Sequence, residues 1–121
     1  MTHQLIPKDE IEKSKLNEQI VRETAQQVIK DFALFGMEIS FPDDINYAYD
    51  ELFVQLKSRI EALMQHDPEK LTSLLYQIDL DEKKLRNENV ELFEEHEWIS
   101  EMILEREFLK VLTRRYFKSQ S

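Results

Sequence analysis

Three observations predict an all-α fold. Glycine occurs once and proline three times in 121 residues, so the backbone has few places to turn sharply. Each proline (Pro7, Pro42 and Pro68) precedes a helical pattern. Apolar residues recur at spacings of three and four along most of the chain, which is the period of an amphipathic helix. The architecture expected from this is one domain over 1–121. It would be an antiparallel bundle of three long helices with a short helical hairpin before the last. Residues 1–8 are expected to be a flexible leader and 118–121 a frayed tail.

Helix 1 is predicted from Asp9, where Glu12 completes an Asp-type capping box, to Phe35, with Gly36 at the left-handed position that closes a helix. Val21, Ala25, Val28, Phe32 and Phe35 form its apolar seam. The same register carried backwards meets Glu18 and Ser14, so its first turns are expected to be less buried. Residues 37–42 alternate apolar and polar and read as an extended loop whose Phe41 plugs the end of the bundle. Helix 2 starts between Ser40 and Asp44 and ends near His66, with Ile45, Tyr49, Leu52, Leu56 and Leu63 on its seam.

Asp67-Pro68-Glu69 pairs an N-cap with proline at the first helical position, opening a short helix over 68–77. Asp79 and Glu82 form a second capping box, and a further short helix follows to about Asn87. The last helix is predicted over 91–117. Its apolar residues spread around most of the circumference, and only the row Glu107, Lys110, Arg114 and Lys118 is consistently charged. A helix apolar on nearly all sides must be covered on nearly all sides. The short helical pair or a second copy of the chain would supply that cover. Homodimerisation is the commonest symmetric solution, with Trp98, Leu104, Phe108 and Val111 as interface candidates. Arg106 and Glu105 fall within the apolar arc; a buried Arg106 would need a partner, with Asp79 and Asp50 as candidates.

Formal charge is −9, which disfavours non-specific association with nucleic acid. The absence of cysteine excludes disulfides and thiolate metal sites. The N-terminus lacks the basic and apolar regions of a signal peptide, and no apolar run is long enough to span a bilayer. A cytoplasmic protein with no membrane association is expected. Residues 87–105 hold seven acids and no base, whereas Lys110, Arg114, Arg115 and Lys118 follow, a polarity that complements a helix dipole.

Motifs for chemistry are sparse. Asp79 and Asp81 are close enough to act as a carboxylate pair, but capping explains Asp79. The ladder Glu94, Glu97, Glu101 and Glu105 with nearby His96 lacks the Glu-x-x-His spacing of di-iron bundles and reads as a solvated acidic face. Phosphate loops, nucleophile elbows and zinc motifs are absent from the sequence. No catalytic, cofactor-binding or metal-ligating residue is assigned, and no cofactor is expected.

The segment Leu74-Leu75-Tyr76-Gln77-Ile78-Asp79, followed by Met102 to Arg114, resembles a family of small uncharacterised bacterial all-helical proteins. These pair an L-L-Y-x-I-D corner with an I-x-x-R-E-x-x-K-V-x-T-R helix. The resemblance covers about residues 68–117 and carries no activity. It implies that Tyr76, Asp79, Arg106 and Arg114 share one packed corner. The leading expectation is therefore a non-catalytic interaction or scaffold protein that self-associates. One alternative is a nucleic-acid-binding or regulatory protein using the basic C-terminal end, where Tyr116 and Phe117 accompany the cations. A carboxylate metal enzyme built on Glu101 and Glu105 is the third reading.

Overall fold

The computed structural model describes residues 8–80 and 95–120. It is all-helical, with no strand among the described residues: α1 (Lys8–Ser14), α2 (Glu18–Ala33), a 3₁₀ turn (Ile45–Tyr47), α3 (Ala48–His66), α4 (Pro68–Ile78) and α5 (Glu95–Gln120). Residues 1–7 of the expected leader, the short helix expected to run to about Asn87 and the first turn expected at 91–94 lie outside the described residues. Lys118 to Gln120 continue α5.

The first helix is broken where one was expected. Ser14 Oγ donates to Glu10 O at 2.7 Å, and Asn17 Oδ1 accepts from Ile20 N at 3.2 Å, so the chain stops and restarts with a new N-cap. The cause is the failure of the apolar seam at Ser14 and Glu18: an unbroken helix would gain little burial there. The break re-aims α1 so that Ile11 packs against Ile20, Phe108, Val111 and Leu112.

Two helices end in the same way. Gly36 has φ +73°, Gly36 N donates to Ala33 O at 3.0 Å and Met37 N to Phe32 O at 3.1 Å, the paired bonds of a Schellman motif. At the end of α4, Asp79 N donates to Tyr76 O at 3.0 Å and Leu80 N to Leu75 O at 2.8 Å. There Asp79 occupies the left-handed position with φ 72°. Asp79 thus closes α4; the capping box expected of it with Glu82 rests on residues outside those described. An aspartate tolerates this backbone better than most residues because its short polar side chain can bond locally. At the start of α4, Asp67 Oδ1 accepts from Lys70 N at 3.1 Å, with Pro68 at the first helical position.

The connection after α2 is long and does not plug the core with Phe41, which is 38% exposed and stacks under Arg22, whose guanidinium carbon is 5.9 Å from the ring centroid. Ile39 and Pro42 are buried in its place, and Pro42 precedes the 3₁₀ turn without starting a helix. Gln55 holds the loop by accepting from Ser40 N at 2.8 Å and donating to Ser40 O at 3.0 Å, and Arg59 donates to Glu38 O at 3.1 Å. Residues of increasing number thus meet α3 residues of decreasing number, so the loop runs back along α3.

This return decides the topology. Ile20 at the start of α2 packs on Phe108, and so does Tyr49 at the start of α3, with ring centroids 6.2 Å apart and an edge-on angle of 85°. The starts of α2 and α3 therefore lie at the same end, and both helices run opposite to α5. The three long helices do not alternate in direction as expected of an antiparallel bundle.

The main core joins Ala25, Val28 and Phe32 of α2, Leu52, Leu56 and Ile60 of α3, Leu71, Leu74 and Ile78 of α4, and Ile99, Ile103 and Leu104 of α5. α5 packs most extensively on α3 and α2. Leu104, Phe108 and Val111, taken from sequence as interface candidates, are buried inside the chain. Trp98 is half-buried against the main core. The apolar circumference of α5 packs on α1, α2, α3 and α4.

Two substitutions test the local account. Gly36→Ala meets no atom within 4 Å of its new Cβ, so its cost is purely that of a left-handed backbone, about 1 kcal/mol of unfolding free energy in urea titration. Asn17→Ala should cost about 1 kcal/mol by loss of the α2 cap; an unchanged urea midpoint would contradict the cap.

Candidate functional site

The consistently charged row of α5 does not simply face solvent. Glu107 is fully buried, at 0% exposure, and Asp31 of α2 retains 4% of its side-chain surface. Lys110 Nζ lies 3.0 Å from Glu107 Oε1 and 3.5 Å from Asp31 Oδ2. Gln27 Nε2 donates to both carboxylate oxygens of Asp31, at 3.1 and 3.2 Å. Arg114 Nη1 in turn donates to Gln27 Oε1 at 3.1 Å. One turn further along, Arg115 pairs with Glu23. The partners thus ascend α2 as they descend α5, which places a ladder of polar side chains along one seam of an otherwise apolar contact.

The electrostatics of the buried pair follow from its setting. The Glu107 carboxyl is raised from 4.5 to about 8: burial is the largest cause, a hydrogen bond to Asp31 and its charge add to it, and the Lys110 ammonium opposes both. The Lys110 contact is close but poorly aligned, and neither Glu107 oxygen has a well-formed partner when the group is treated as an anion. A protonated Glu107 resolves this by donating to the Asp31 carboxylate. At neutral pH Glu107 is then held neutral beside Asp31 and the Lys110 ammonium, since two adjacent buried carboxylates cannot both carry charge cheaply.

On the opposite side of α5 a groove of about 320 Å³ lies against α3, lined by Lys15, Tyr49, Asp50, Phe53, Glu101, Leu104, Glu105 and Phe108. Its floor is apolar. Asp50, Glu101 and Glu105 are exposed at its rim, and no ion pair or hydrogen bond engages their carboxylates among the described residues. Tyr49 carries a buried hydroxyl without an aligned partner, and burial raises its pKa, an effect that the neighbouring Thr24 hydroxyl partly offsets.

The residues singled out from sequence are dispersed. Arg106 Nη2 donates to Asp79 Oδ2 at 2.8 Å, so of its two candidate partners it meets Asp79. Tyr76, however, is 86% exposed, and Arg114 turns to Gln27; the four residues do not form one packed corner. Glu97 pairs with Lys57 at 3.6 Å and His96 approaches Glu61 at 3.9 Å, whereas Glu94 and Asp81 lie outside the described residues. No group of three or more His, Asp or Glu side chains suited to a metal ion occurs among the described residues. Likewise, no helix there is long and apolar enough to cross a membrane.

The sequence did carry a signal for the polar seam. Gln27 and Asp31 sit beside the apolar seam of α2 at a spacing of four, and Lys110 and Arg114 repeat that spacing on α5. Each half alone looks like a solvated strip. No family model, curated protein or solved structure matches the chain.

The buried pair makes stability depend on pH with a definite sign. The folded chain holds the Glu107 proton more tightly than the unfolded chain, so its contribution falls as pH rises from about 4.5 to about 8 and levels off above. Glu107→Gln keeps the shape and a donor for Asp31 but removes the titration. The variant should melt about 4 °C or more above the parent at pH 8, a shift equivalent to about 1 kcal/mol, and close to it at pH 5. Equal melting curves across this range would show that Glu107 is not held neutral.

Proposed function

We propose that this chain is a non-catalytic binding module, and that its α3/α5 groove holds a basic segment of a partner protein anchored by an apolar side chain. The observation that carries this reading is the groove itself: an apolar floor of Tyr49, Phe53, Leu104 and Phe108 beneath three carboxylates, Asp50, Glu101 and Glu105, with Lys15 as its one lining cation. Concave, mostly apolar surfaces with a few polar groups are the usual form of a binding site. A rim of one charge selects the opposite charge and speeds encounter. The net charge of −9 acts in the same direction.

A second copy is the less suitable occupant. An isologous interface sets each patch against itself, and here that would bring the three carboxylates of one copy toward those of the other. The basic C-terminal end is a weaker basis for nucleic-acid binding, because Arg115 is paired with Glu23 and the net charge of −9 opposes a polyanion. A cysteine-free chain suits a cytoplasmic setting for such a module.

Fluorescence anisotropy with a panel of labelled amphipathic peptides tests the reading. Peptides with Lys or Arg flanking Leu or Phe should bind with micromolar affinity at low salt, and acidic counterparts should not. Glu101→Lys with Glu105→Lys should weaken binding at least tenfold while leaving the melting temperature within a few degrees, as both side chains are exposed. Failure of every basic peptide, or equal binding by the double variant, would remove the proposal. A dimer by light scattering that excludes peptide as protein concentration rises would give the groove to a second copy.

A further inference from the structure

The face of α5 turned away from that groove carries a second concavity, and its chemistry is of the other sign. Gln27, Arg106, Lys110, Thr113, Arg114 and Phe117 line a groove of about 470 Å³ between α2 and α5. At 3.6 residues per turn, its α5 residues lie roughly opposite Glu101, Leu104, Glu105 and Phe108. Arg106, Lys110 and Arg114 stand one turn apart on one row, an arrangement that is destabilising by itself because like charges at this spacing repel.

Counter-charges are supplied unevenly. Arg106 has Asp79 at 2.8 Å, and Lys110 has Asp31 and Glu107 at 3.5 and 3.0 Å. Arg114 has only the neutral amide oxygen of Gln27 at 3.1 Å, and no carboxylate pairs with it among the described residues. The Thr113 hydroxyl beside it makes no hydrogen bond there, although helical threonines elsewhere in the chain, such as Thr24, donate to the preceding turn. Phe117, one turn beyond Arg114, is 39% exposed.

We propose that this groove binds a small phosphomonoester bearing a planar ring, of about mononucleotide size. The phosphate would lie between the Arg114 guanidinium, the Thr113 hydroxyl and the Lys110 ammonium, and the ring would lie against Phe117. The guanidinium fork matches phosphate oxygens in pairs, the hydroxyl adds a neutral donor, and an exposed aromatic face stacks rings with little regard to their identity. The volume lies within the range of small-molecule sites. A bulky polyanion is disfavoured by the acidic remainder of the chain, whereas one small phosphate needs only the local cations. The site is independent of the α3/α5 groove and stands or falls separately from it.

Two-dimensional ¹H–¹⁵N NMR of the full chain tests the site with adenosine monophosphate, adenosine and inorganic phosphate as separate probes. Adenosine monophosphate should shift the amide signals of Gln27 and of Thr113 to Phe117 saturably, inorganic phosphate should shift a subset more weakly, and adenosine should leave them unmoved. Arg114→Gln and Thr113→Val should each weaken the monophosphate at least tenfold, with spectra elsewhere unchanged as the check on folding. Phe117→Leu should weaken the monophosphate but not inorganic phosphate. Absence of saturable shifts at these amides, equal shifts with adenosine, or undiminished binding by Arg114→Gln would overturn the proposal.

Discussion

The constraint on which the rest of the structure depends is the need to cover α5. Its apolar side chains point in most directions, so no single neighbour can bury them. Ile99, Ile103 and Leu104 enter the main core with α2, α3 and α4, while Phe108, Val111 and Leu112 enter a second cluster with Ile20 and Ile11. Several otherwise separate features follow from this. The chain breaks at Asn17 so that α1 can reach the second cluster. The loop after α2 runs back along α3, so that α2 and α3 flank α5 in the same direction.

Within that apolar contact the one polar seam is costly unless each member has a partner. Asp31, Glu107, Lys110 and Gln27 satisfy one another, and protonation of Glu107 removes the charge that has no counterpart. A buried ion cluster is weak evidence for added stability. Its effect here is on register: shifting α2 by one turn against α5 would separate Asp31 from Lys110 and Gln27 from Arg114, leaving buried polar groups unpaired. The seam also divides the surface of α5. On one side lies the acid-rimmed apolar groove against α3, on the other the cationic groove against α2, so that one helix presents two surfaces of opposite sign.

Much of the fold was legible because it rests on local chemistry. Gly36 marked the end of α2, Asp67-Pro68 the junction of α3 and α4, and the seams Val21-Ala25-Val28-Phe32 and Leu52-Leu56-Leu63 the buried faces. Misreadings arose where a local signal had two outcomes. Asp79 was read only for a helix start, and its φ of 72° makes it the left-handed residue that ends α4. Phe41 and Ile39 alternate on one extended segment, and the clamp from Gln55 and Arg59 turned Ile39 inward. The polar seam was hidden for a different reason, since its two halves lie 79 residues apart at Asp31 and Lys110 and each resembles an ordinary exposed strip.

By itself the sequence determined an all-helical chain, the places where most of its helices stop, and a last helix that demands cover on nearly every side. These follow from backbone freedom, capping chemistry and the 3.6-residue period, all of which act over a few neighbouring residues. Only the tertiary structure decided which neighbours provide that cover, which charged row is buried and which is wet, and where the two grooves open. Those outcomes depend on the direction in which the 34–47 connection returns the chain, and no periodicity within a helix encodes the direction of its neighbours.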